Sequence, residues 1–313
     1  MLEVVKKLAS LGIMGINKRN ADYISVYNPR KLFPLVDDKL KTKILAENAG
    51  LEVPKLYGVI EIQRQIRDLA SILAPLTDFA IKPACGSGGD GILVVSGRVK
   101  DLFRTVNGQL LSLDEISQHL TRLLSGVYSL GGRPDKIIIE YRVQFDPVFE
   151  RISYLGVPDV RIIVFQGVPI MSMIRLPTRM SHGKANLHKG AIGVGICMAS
   201  GTTLKAVWKN SVVEEHPDTG NTVEGVNVPD WQKLLEIASR CYQLTGLGYV
   251  GVDLVIDKDK GPLLLELNAR PGLNIQIANR AGLISRLKLV EENINLLNTI
   301  EDKVRFAREK FSS

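Results

Sequence analysis

The clearest alternation of apolar and polar positions lies in residues 249–273. Two apolar segments, YVGVDLVID and GPLLLELN, flank a charged turn, and this pattern predicts a β-hairpin. Glu266 and Asn268 are two residues apart and therefore share one face of the second strand. A turn centred on residues 257–261 places Asp253 of the first strand nearly opposite Glu266. The sequence thus predicts two carboxylates and one amide on a single face of the hairpin.

Hard oxygen ligands of this kind suit Mg²⁺ that is held partly by substrate phosphates, because three protein ligands leave coordination positions open. The alternative is a solvated polar face. That alternative does not explain the apolar flanks or the sequence N-A-R-P-G at 268–272 that ends the segment. We therefore predict a metal site formed by Asp253, Glu266 and Asn268.

Apolar periodicity elsewhere predicts mixed helices and strands with an antiparallel bias, which indicates an α+β fold. Asp37 and Asp38 open one helix that Gly50 closes, and Ser112 and Glu115 form a capping box at the start of another. The predicted elements are helices at 1–18, 38–48, 62–73, 112–124, 229–244 and 284–311, strands at 56–61, 79–83, 91–95, 136–141, 160–165 and 168–176, irregular chain at 19–36, and a long loop at 177–195.

Composition excludes several protein classes. The chain has 313 residues, 45% of them hydrophobic, which is enough for a core split across two or three subdomains. No apolar run approaches the ~18 residues that a transmembrane helix needs. Three widely spaced cysteines argue against a disulfide framework or a zinc site and fit a reducing, cytoplasmic location. The four histidines lack the H-x-x-x-H spacing of zinc proteases.

The net charge of +7 is compatible with nucleic acid, an anionic membrane surface or acidic small substrates as partners. Because the sequence has neither an RNP-like aromatic stripe nor a basic block, we expect no nucleic-acid partner. A solvated basic surface is the alternative. We favour attraction of nucleotide phosphates and of a carboxylated substrate.

A glycine-rich segment, KPACGSGGDG at 82–91, separates two predicted strands. Its small residues would let backbone N–H groups approach phosphate oxygens, and neither a Walker A loop nor a dinucleotide fingerprint fits. A flap over phosphates and a plain hairpin turn are both possible. Lys82 favours the flap, because a lysine in an apolar strand needs an anionic partner. The loop residues concerned are Gly86, Ser87, Gly88, Gly89 and Gly91.

Several polar residues at strand and helix ends are further candidates, each with a structural alternative. Lys39 lies in the first turn of a helix, and Glu140 ends an apolar run where adenine could bind; a plain helix start and a strand-end charge are the alternatives. Asp159 and Arg161 share one strand face and could bind ribose and phosphate or form an edge ion pair. Arg175 could bind the same phosphate or lie at the surface.

The segment 184–190, KANLHKG, concentrates donors for phosphoryl or carboxylate oxygens. The donors are Lys184, Asn186 and His188 together with a second lysine. A solvated loop is the alternative for this segment. His182 and His216 stand alone in the sequence, and we expect no catalytic role for either.

Together these segments resemble the ATP-grasp carboxylate–amine ligases, and most closely the RimK-type L-glutamate ligases. The similarity covers roughly residues 37–285, and the hairpin and the N-L-H-K-G loop are its most specific parts. The segments that carry it are DKLKTK at 38–43, KPACGSGGDG at 82–91, IIIEY at 137–141, NLHKG at 186–190, and VD with LLELNARPG within 252–272.

The resemblance implies an ATP-grasp fold, in which two α+β subdomains clamp ATP, with a truncated N-terminal segment. The implied domains are a short helical segment at 1–36, an ATP-grasp domain at 37–285 and a helical tail at 286–313. Within the ATP-grasp domain, the flap subdomain spans about 54–138 and the metal-binding subdomain about 139–285.

The resemblance also implies roles for the candidate residues. Those that match nucleotide-binding positions are Lys39, Lys82 and the Gly86–Gly91 flap for phosphates, Ile139 and Glu140 for adenine, Asp159 for ribose, and Lys184, Asn186 and His188 near the phosphates. Those that match metal or catalytic positions are Asp253, Glu266 and Asn268 as ligands of two Mg²⁺ or Mn²⁺ ions, and Arg161 and Arg175 as stabilisers of an acyl phosphate.

The implied reaction has two steps: a carboxylate attacks the ATP γ-phosphate, and an amine then attacks the acyl phosphate to give an amide. The expected product is glutamate or a similar amino acid joined to a peptide or small acid. The alternatives are a catalytically decayed nucleotide-binding regulatory protein and a basic scaffold for anionic polymers. Clustered carboxylates argue against the decayed protein, because they destabilise a fold in which no metal uses them.

Three departures from the family pattern affect the substrate site. Only about 36 residues precede the DDKLKTK segment, so we expect a homo-oligomer or a partner protein to complete the site. Segments 100–135 and 142–158 are longer than in the RimK-type pattern. Arg270 stands where a small residue is common, and either a substrate carboxylate or a nearby salt bridge could explain it.

Overall fold

Two units make up the chain in the computed structural model, which describes residues 7, 8, 10–86, 88–129, 131–209 and 211–312. We call Asp38–Leu40 with Val53–Gln144 the flap unit, because it contains the glycine-rich segment. The hairpin unit comprises Met1–Asp37, Lys41–Glu52 and Phe145–Ser313. In the described part of the chain, every helix is too short or too polar to cross a bilayer.

The flap unit contains a six-stranded antiparallel sheet. Ile137 and Ile139, on a strand in the interior of the sheet, are fully buried, as a continuous apolar run predicts. The strands are β1 (Leu56–Ile60), β2 (Phe79–Pro83), β3 (Leu93–Val99), β4 (Leu102–Thr105), β5 (Leu110–Leu111) and β6 (Ile137–Glu140), in the spatial order β1-β6-β2-β3-β4-β5.

One amphipathic helix, Leu113–Leu124, supplies much of the apolar core of the flap unit. The predicted capping box is confirmed: Ser112 Oγ accepts from the backbone N–H of Glu115, and Glu115 accepts from the backbone N–H of Ser112. The helix predicted at 62–73 is instead a 3₁₀ helix followed by an α-helix, since the Gln65 side chain accepts from two backbone N–H groups before it and tightens the first turns. These two helices are Gln63–Asp68 and Leu69–Leu73.

The hairpin unit contains a seven-stranded antiparallel sheet. Its middle strands are buried on both faces, which is why they appear in the sequence as continuous apolar runs. The strands are β7 (Asp159–Phe165), β8 (Val168–Leu176), β9 (Ile192–Ile196), β10 (Thr203–Trp208), β11 (Ser211–Val213), β12 (Tyr249–Asp257) and β13 (Gly261–Asn268), in the spatial order β11-β10-β9-β8-β7-β12-β13.

Helices flank this sheet, and the predicted helix at 229–244 is observed at Trp231–Thr245, ending at Gly246 with a φ of +70°. The helix predicted at 38–48 is observed at Lys39–Asn48. The C-terminal α-helices of the hairpin unit are Asn274–Asn279, Ile284–Asn293 and Ile300–Lys310, and its 3₁₀ helices are Arg30–Leu32, Pro147–Ile152, Leu187–Lys189 and Ile294–Leu296.

The N-terminal prediction was wrong for residues 19–36, which are mostly helical rather than irregular. The chain forms a π-helix at Arg19–Ile24, flanked by short α-helices at Ile16–Lys18 and Ser25–Tyr27, and a further α-helix at Pro34–Asp37. Burial of Tyr23 and Ile24 in the hairpin unit favours this helical conformation over extended chain. Part of the helix predicted at 1–18 lies outside the described residues, namely 1–6 and 9.

Candidate functional site

The predicted hairpin is formed by β12 and β13, and its register agrees with the prediction. Asp253 pairs with Glu266, and Asp257 pairs with Gly261 at the turn. Asn268 pairs with Gly251, where a Cβ would lie 2.7 Å from a Pro271 carbon and 3.5 Å from Asn268 Cβ. A side chain at position 251 would therefore displace Pro271 and the chain that follows Asn268, so glycine is required there for close packing.

Two arginines from neighbouring strands hold the Asp253 carboxylate. Arg161 Nε lies 2.7 Å from Oδ1 and its Nη2 lies 2.5 Å from Oδ2, while Arg175 Nη2 lies 2.9 Å from Oδ2. Asn268 Nδ2 also donates to Oδ2, at 3.3 Å. The sheet order explains the contact, because Arg161 on β7 lies directly opposite Asp253 on β12. Four predicted site residues therefore meet around one buried carboxylate.

Asp159 forms its ion pair with Arg175, which lies opposite it on β8. Asp159 and Arg161 share a strand face as predicted, but each is paired across strands and not with the other. The alternative that Arg175 lies at the surface was wrong, because its side chain is only 11% exposed. The guanidinium of Arg175 thus bridges the carboxylates of Asp159 and Asp253.

The two carboxyl groups differ in acidity. Burial raises the pKa of Asp159 to about 6, and the nearby charge of Asp253 adds to this effect. Burial acts in the same sense on Asp253, but the charges of Arg161 and Arg175 outweigh it and hold the pKa of Asp253 well below its usual range. Asp253 is therefore the more acidic of the two and carries a full negative charge at neutral pH.

The donor set fits a hard divalent cation. Asp253, Glu266 and Asn268 offer carboxylate and amide oxygens on one face of the hairpin, which are the ligands that Mg²⁺ prefers. The carboxylates of Asp159, Asp253 and Glu266 outnumber the guanidiniums of Arg161 and Arg175 by one, so the cluster has a net negative charge. Among the described residues, no group of three or more His, Cys, Asp or Glu is placed to hold a metal ion.

In the flap unit, Lys82 has an anionic partner, as its buried position requires. Its Nζ lies 2.6 Å from Glu140 Oε1, and the two side chains are only 9% and 5% exposed. Glu140 is thus more than a solvated strand-end charge. Ile139 is fully buried, and its strand β6 is hydrogen-bonded to β1 on one side and β2 on the other. The backbone of Ile139 is therefore paired with a neighbouring strand on each side of β6.

The glycine-rich loop is held at both of its ends. Lys39 Nζ donates to the carbonyl oxygen of Gly86, and His119 Nε2 donates to that of Gly91 at 3.0 Å. Gly91 has a φ of +74°, and a Cβ there would lie 2.7 Å from Leu123 Cδ2. His119 was not among the predicted site residues, because nothing in the sequence around it indicates more than a position on a helix. The intervening Gly88 and Gly89 lie in a turn with positive φ, and Ser87 lies outside the described residues.

The loop that contains Lys184 is more ordered than the sequence predicts. Asn186 Oδ1 accepts from the backbone N–H of His188 at 2.9 Å and caps the 3₁₀ turn Leu187–Lys189, after which β9 begins at Ile192. The predicted loop 177–195 was therefore too long at its C-terminal end. Trp208 Nε1 donates to the carbonyl oxygen of Gly190 and anchors that end of the loop.

Arg270 does not join the cluster around Asp253. Its Nη2 lies 3.7 Å from Asp37 Oδ2, and its guanidinium carbon lies 5.1 Å from the centre of the Phe33 ring. Of the two explanations left open by the sequence, the structure shows the nearby salt bridge. The side chain is still 54% exposed, so it remains accessible to an anion.

The sequence matches a family described as "Sugar-transfer associated ATP-grasp" over residues 18–292. No curated protein matches it. Among solved structures, the ATP-grasp ligase PsnB, complexed with its minimal precursor, is 16% identical over 87% of this chain and 63% of its own, with a TM-score of 0.46. The chain thus spans less than two thirds of PsnB.

Two further solved structures are similar at the same level. The D-alanine–D-alanine ligase from Bacillus anthracis is 15% identical over 88% of this chain and 69% of its own, with a TM-score of 0.44. The D-cycloserine synthetase DcsG is 18% identical over 85% of this chain and 73% of its own, with a TM-score of 0.45.

Proposed function

Because this chain belongs to the sugar-transfer associated ATP-grasp family, we propose that it is an ATP- and Mg²⁺-dependent ligase that joins a carboxylate to an amine. The observation that carries the proposal is the cluster in the hairpin unit. Two arginines, two acidic residues of the hairpin and one amide converge there, and phosphoryl transfer needs both cations and metal ligands. The residues concerned are Arg161, Arg175, Asp253, Glu266 and Asn268.

In the hairpin unit, Asp253, Glu266 and Asn268 would hold the metal, which supplies Lewis-acid stabilisation of phosphate charge when it is bound. Arg161 and Arg175 both donate to Asp253. Their guanidinium N–H groups are suited to bidentate binding of phosphate or acyl-phosphate oxygens. We propose that part of this hydrogen bonding would pass to the phosphate or acyl-phosphate oxygens of a bound substrate.

In the flap unit, Lys39 and Lys82 would bind the ATP phosphates, and the Gly86–Gly91 loop would close over them. The Lys82–Glu140 ion pair supports this role, since a buried lysine with a single carboxylate keeps further N–H donors for an anion. The β6 backbone is paired on both sides at Ile139 and at Glu140, so adenine contacts would come from the Glu140 side chain and from the residues that follow it.

The proposed reaction balances in two steps. A carboxylate oxygen of the acid substrate attacks the γ-phosphorus of ATP, and the bond to the β-phosphate oxygen breaks to release ADP. An amine nitrogen then attacks the acyl carbon, inorganic phosphate leaves, and the amine loses a proton to give the amide. The residues of this chain would bind and orient the substrates and neutralise their charge. The closed flap would exclude water from the acyl phosphate.

The finer assignments remain proposals. For the chemistry, they are a RimK-type specificity for glutamate or a similar amino acid and two metal ions that could be Mg²⁺ or Mn²⁺. For the architecture, they are subdomains at 54–138 and 139–285, a second subunit or partner at the substrate site, and a cytoplasmic location. The remaining proposed site residues are Asp159, Lys184, Asn186, His188 and Arg270. The motifs that match the family pattern support the specificity, the metal ions and the site residues, the cysteine spacing supports the location, and the departures from the pattern support the partner.

The test is a screen of amino acids, small acids and peptides for ADP release with Mg²⁺ and ATP, followed by mass spectrometry of the product. We expect release that requires an acid and an amine together and that is lost in Asp253→Asn. Equal release by wild type and Asp253→Asn would contradict the assignment of the metal site. Nucleotide binding without ADP release across the whole panel would instead favour a regulatory protein. In such a protein, Arg161 and Arg175 would keep their hydrogen bonds to Asp253.

A further inference from the structure

The end of the hairpin that carries Asn268 is fastened by a side chain far away in sequence. Asn28 is only 2% exposed, and its Nδ2 donates to the carbonyl oxygens of Tyr249, at 2.7 Å, and Ala269, at 3.0 Å. Its Oδ1 accepts from the backbone N–H of Tyr249 at 2.8 Å. Tyr249 and Ala269 lie just beyond the last backbone pair of the ladder, Gly251 with Asn268. Asn28 therefore extends the hydrogen bonding of the hairpin past its last pair.

A second side chain from the same N-terminal region fastens the next part of the loop. Arg19 Nη1 donates to the carbonyl oxygen of Pro271 at 2.7 Å, and both groups are buried. Its Nε and Nη2 donate to Asn20 Oδ1, which fixes the direction of the guanidinium. The two fastened carbonyls, those of Ala269 and Pro271, stand on either side of Arg270.

We propose that Asn28 and Arg19 are positioning residues of the metal site, a proposal that rests on the proposed function. Neither touches the site itself. Asn28 acts through its hydrogen bond to Ala269. The preceding residue, Asn268, donates from its Nδ2 to Asp253 Oδ2 at 3.3 Å. A shift of the Ala269 backbone would move this amide out of reach, and outer residues that orient metal ligands typically change metal affinity 10–100-fold.

A purely structural anchor would behave differently from a positioning residue. Loss of an anchor lowers the thermal midpoint but leaves the metal dependence of nucleotide binding unchanged. Asn279 provides a matched control, because its Nδ2 also donates to two backbone carbonyls, those of Ser172 at 2.8 Å and Ile275 at 2.9 Å. The bond to Ser172 fastens the helix Asn274–Asn279 to β8, the bond to Ile275 lies within that helix, and neither involves the hairpin.

The experiment compares Asn28→Asp with Asn279→Asp in the full-length protein. A carboxylate at either position keeps the shape of the side chain and loses the N–H donor. Binding of Mn²⁺ is titrated by electron paramagnetic resonance with a non-hydrolysable ATP analogue, and thermal midpoints are recorded. We expect the Mn²⁺ concentration for half-saturation to rise about 10–100-fold in Asn28→Asp, and to change much less in Asn279→Asp.

A pair of variants at position 19 covers the case in which Asn28→Asp does not fold. Arg19→Met removes the donor to Pro271, whereas Arg19→Lys keeps an N–H donor, so we expect weaker Mn²⁺ binding in the first and partial recovery in the second. The proposal is overturned if the variants at 28 and 19 bind Mn²⁺ like wild type while nucleotide binding is intact. A wild type that binds neither Mn²⁺ nor nucleotide would overturn the proposed function as well, so the two failures are distinguishable.

Discussion

Asp253 and Arg161 lie directly opposite each other on adjacent strands and form a bidentate ion pair within the sheet of the hairpin unit. Because Arg175 also donates to Asp253, the buried carboxylate is the shared counter-ion of two guanidiniums. Loss of Asp253 would remove the carboxylate partner of Arg161 and would leave Arg175 paired with Asp159, in a poorly hydrated site. This relationship makes Asp253 important for stability as well as for the proposed metal binding.

We expect Asp253→Ala to lower the free energy of unfolding by about 3–5 kcal/mol, because breaking a buried ion pair leaves an uncompensated charge. Urea denaturation measures this change. The exposed pair of Lys205 and Glu214, at 2.8 Å, is the control, and Glu214→Ala should leave the midpoint unchanged. A double variant, Asp253→Leu with Arg161→Met, should recover part of the loss. Equal midpoints for Asp253→Ala and wild type would contradict the prediction.

Lys82→Met should weaken ATP binding at least about tenfold, since it removes a cation from a buried site where charge is poorly screened. Isothermal titration with an ATP analogue measures the affinity. Lys136 is the matched control, because its Nζ lies 2.6 Å from Glu61, as Lys82 lies from Glu140, but its side chain is 43% exposed. Lys136→Met should bind the analogue like wild type. Equal losses in both variants would show that general charge, and not Lys82 itself, attracts the nucleotide.

Gly91→Ala should both destabilise the flap unit and impair nucleotide binding. A Cβ at Gly91 meets Leu123 at 2.7 Å and Tyr128 at 2.9 Å, in addition to the strain of a φ of +74°. Gly108→Ala separates the two effects, because Gly108 has a φ of +85° with no atom within 4 Å of a Cβ. We expect a loss of about 1–2 kcal/mol at Gly108, which is the cost of the left-handed conformation for an L-residue, and a larger loss at Gly91 in chemical denaturation. Similar losses at both positions would mean that the contacts of Gly91 are unimportant.

The structure also predicts a pH dependence of stability centred on His216, which is fully buried. Its Nε2 donates to the carbonyl oxygen of Pro177 at 2.9 Å, and its Nδ1 accepts from the backbone N–H of Asp218 at 3.2 Å. Burial lowers the pKa of His216, although the hydrogen bond to Pro177 and the charge of Asp218 oppose this. A proton on Nδ1 would turn an acceptor into a donor that faces another N–H group.

A lowered pKa means that the unfolded chain binds the proton more tightly than the folded protein. The free energy of unfolding should therefore be highest above the ordinary histidine pKa of about 6.5 and fall as the pH decreases below it. His119, whose pKa burial also lowers, contributes with the same sign. Urea denaturation between about pH 8 and pH 5 should show a weaker pH dependence in His216→Gln. His182→Gln, at an exposed position, is the control. An unchanged pH dependence in His216→Gln would contradict the assignment of the pH dependence to His216.

The α+β ATP-grasp fold was predicted from the sequence and is confirmed by the family match and the two antiparallel sheets. The hairpin was predictable in detail, because a charged turn between two apolar runs fixes both the strands and their register. Asp253 and Glu266 are only 13 residues apart and are paired as expected. Local signals of this kind also gave the capping box at Ser112.

The partners of Asp253 could not be predicted, because the order of strands in a sheet is not written in any one segment. Arg161 is 92 residues from Asp253, and only the placement of β7 beside β12 brings them together. Asn28 was equally invisible, since a single polar residue in a region predicted to be irregular carries no pattern. Long-range polar contacts of this type depend on the assembled sheet and not on local propensity.

The hydrogen bonds from the N-terminal region have a consequence for the order of folding during synthesis. Met14 is bonded to Gln276 and Asn28 to Tyr249, which are 262 and 221 residues apart. The flap unit is nearly continuous in sequence, so it can fold while the ribosome is still translating the remainder. Met14 and Asn28 must wait, exposed to chaperones and to aggregation, until Gln276 and Tyr249 have emerged from the ribosome.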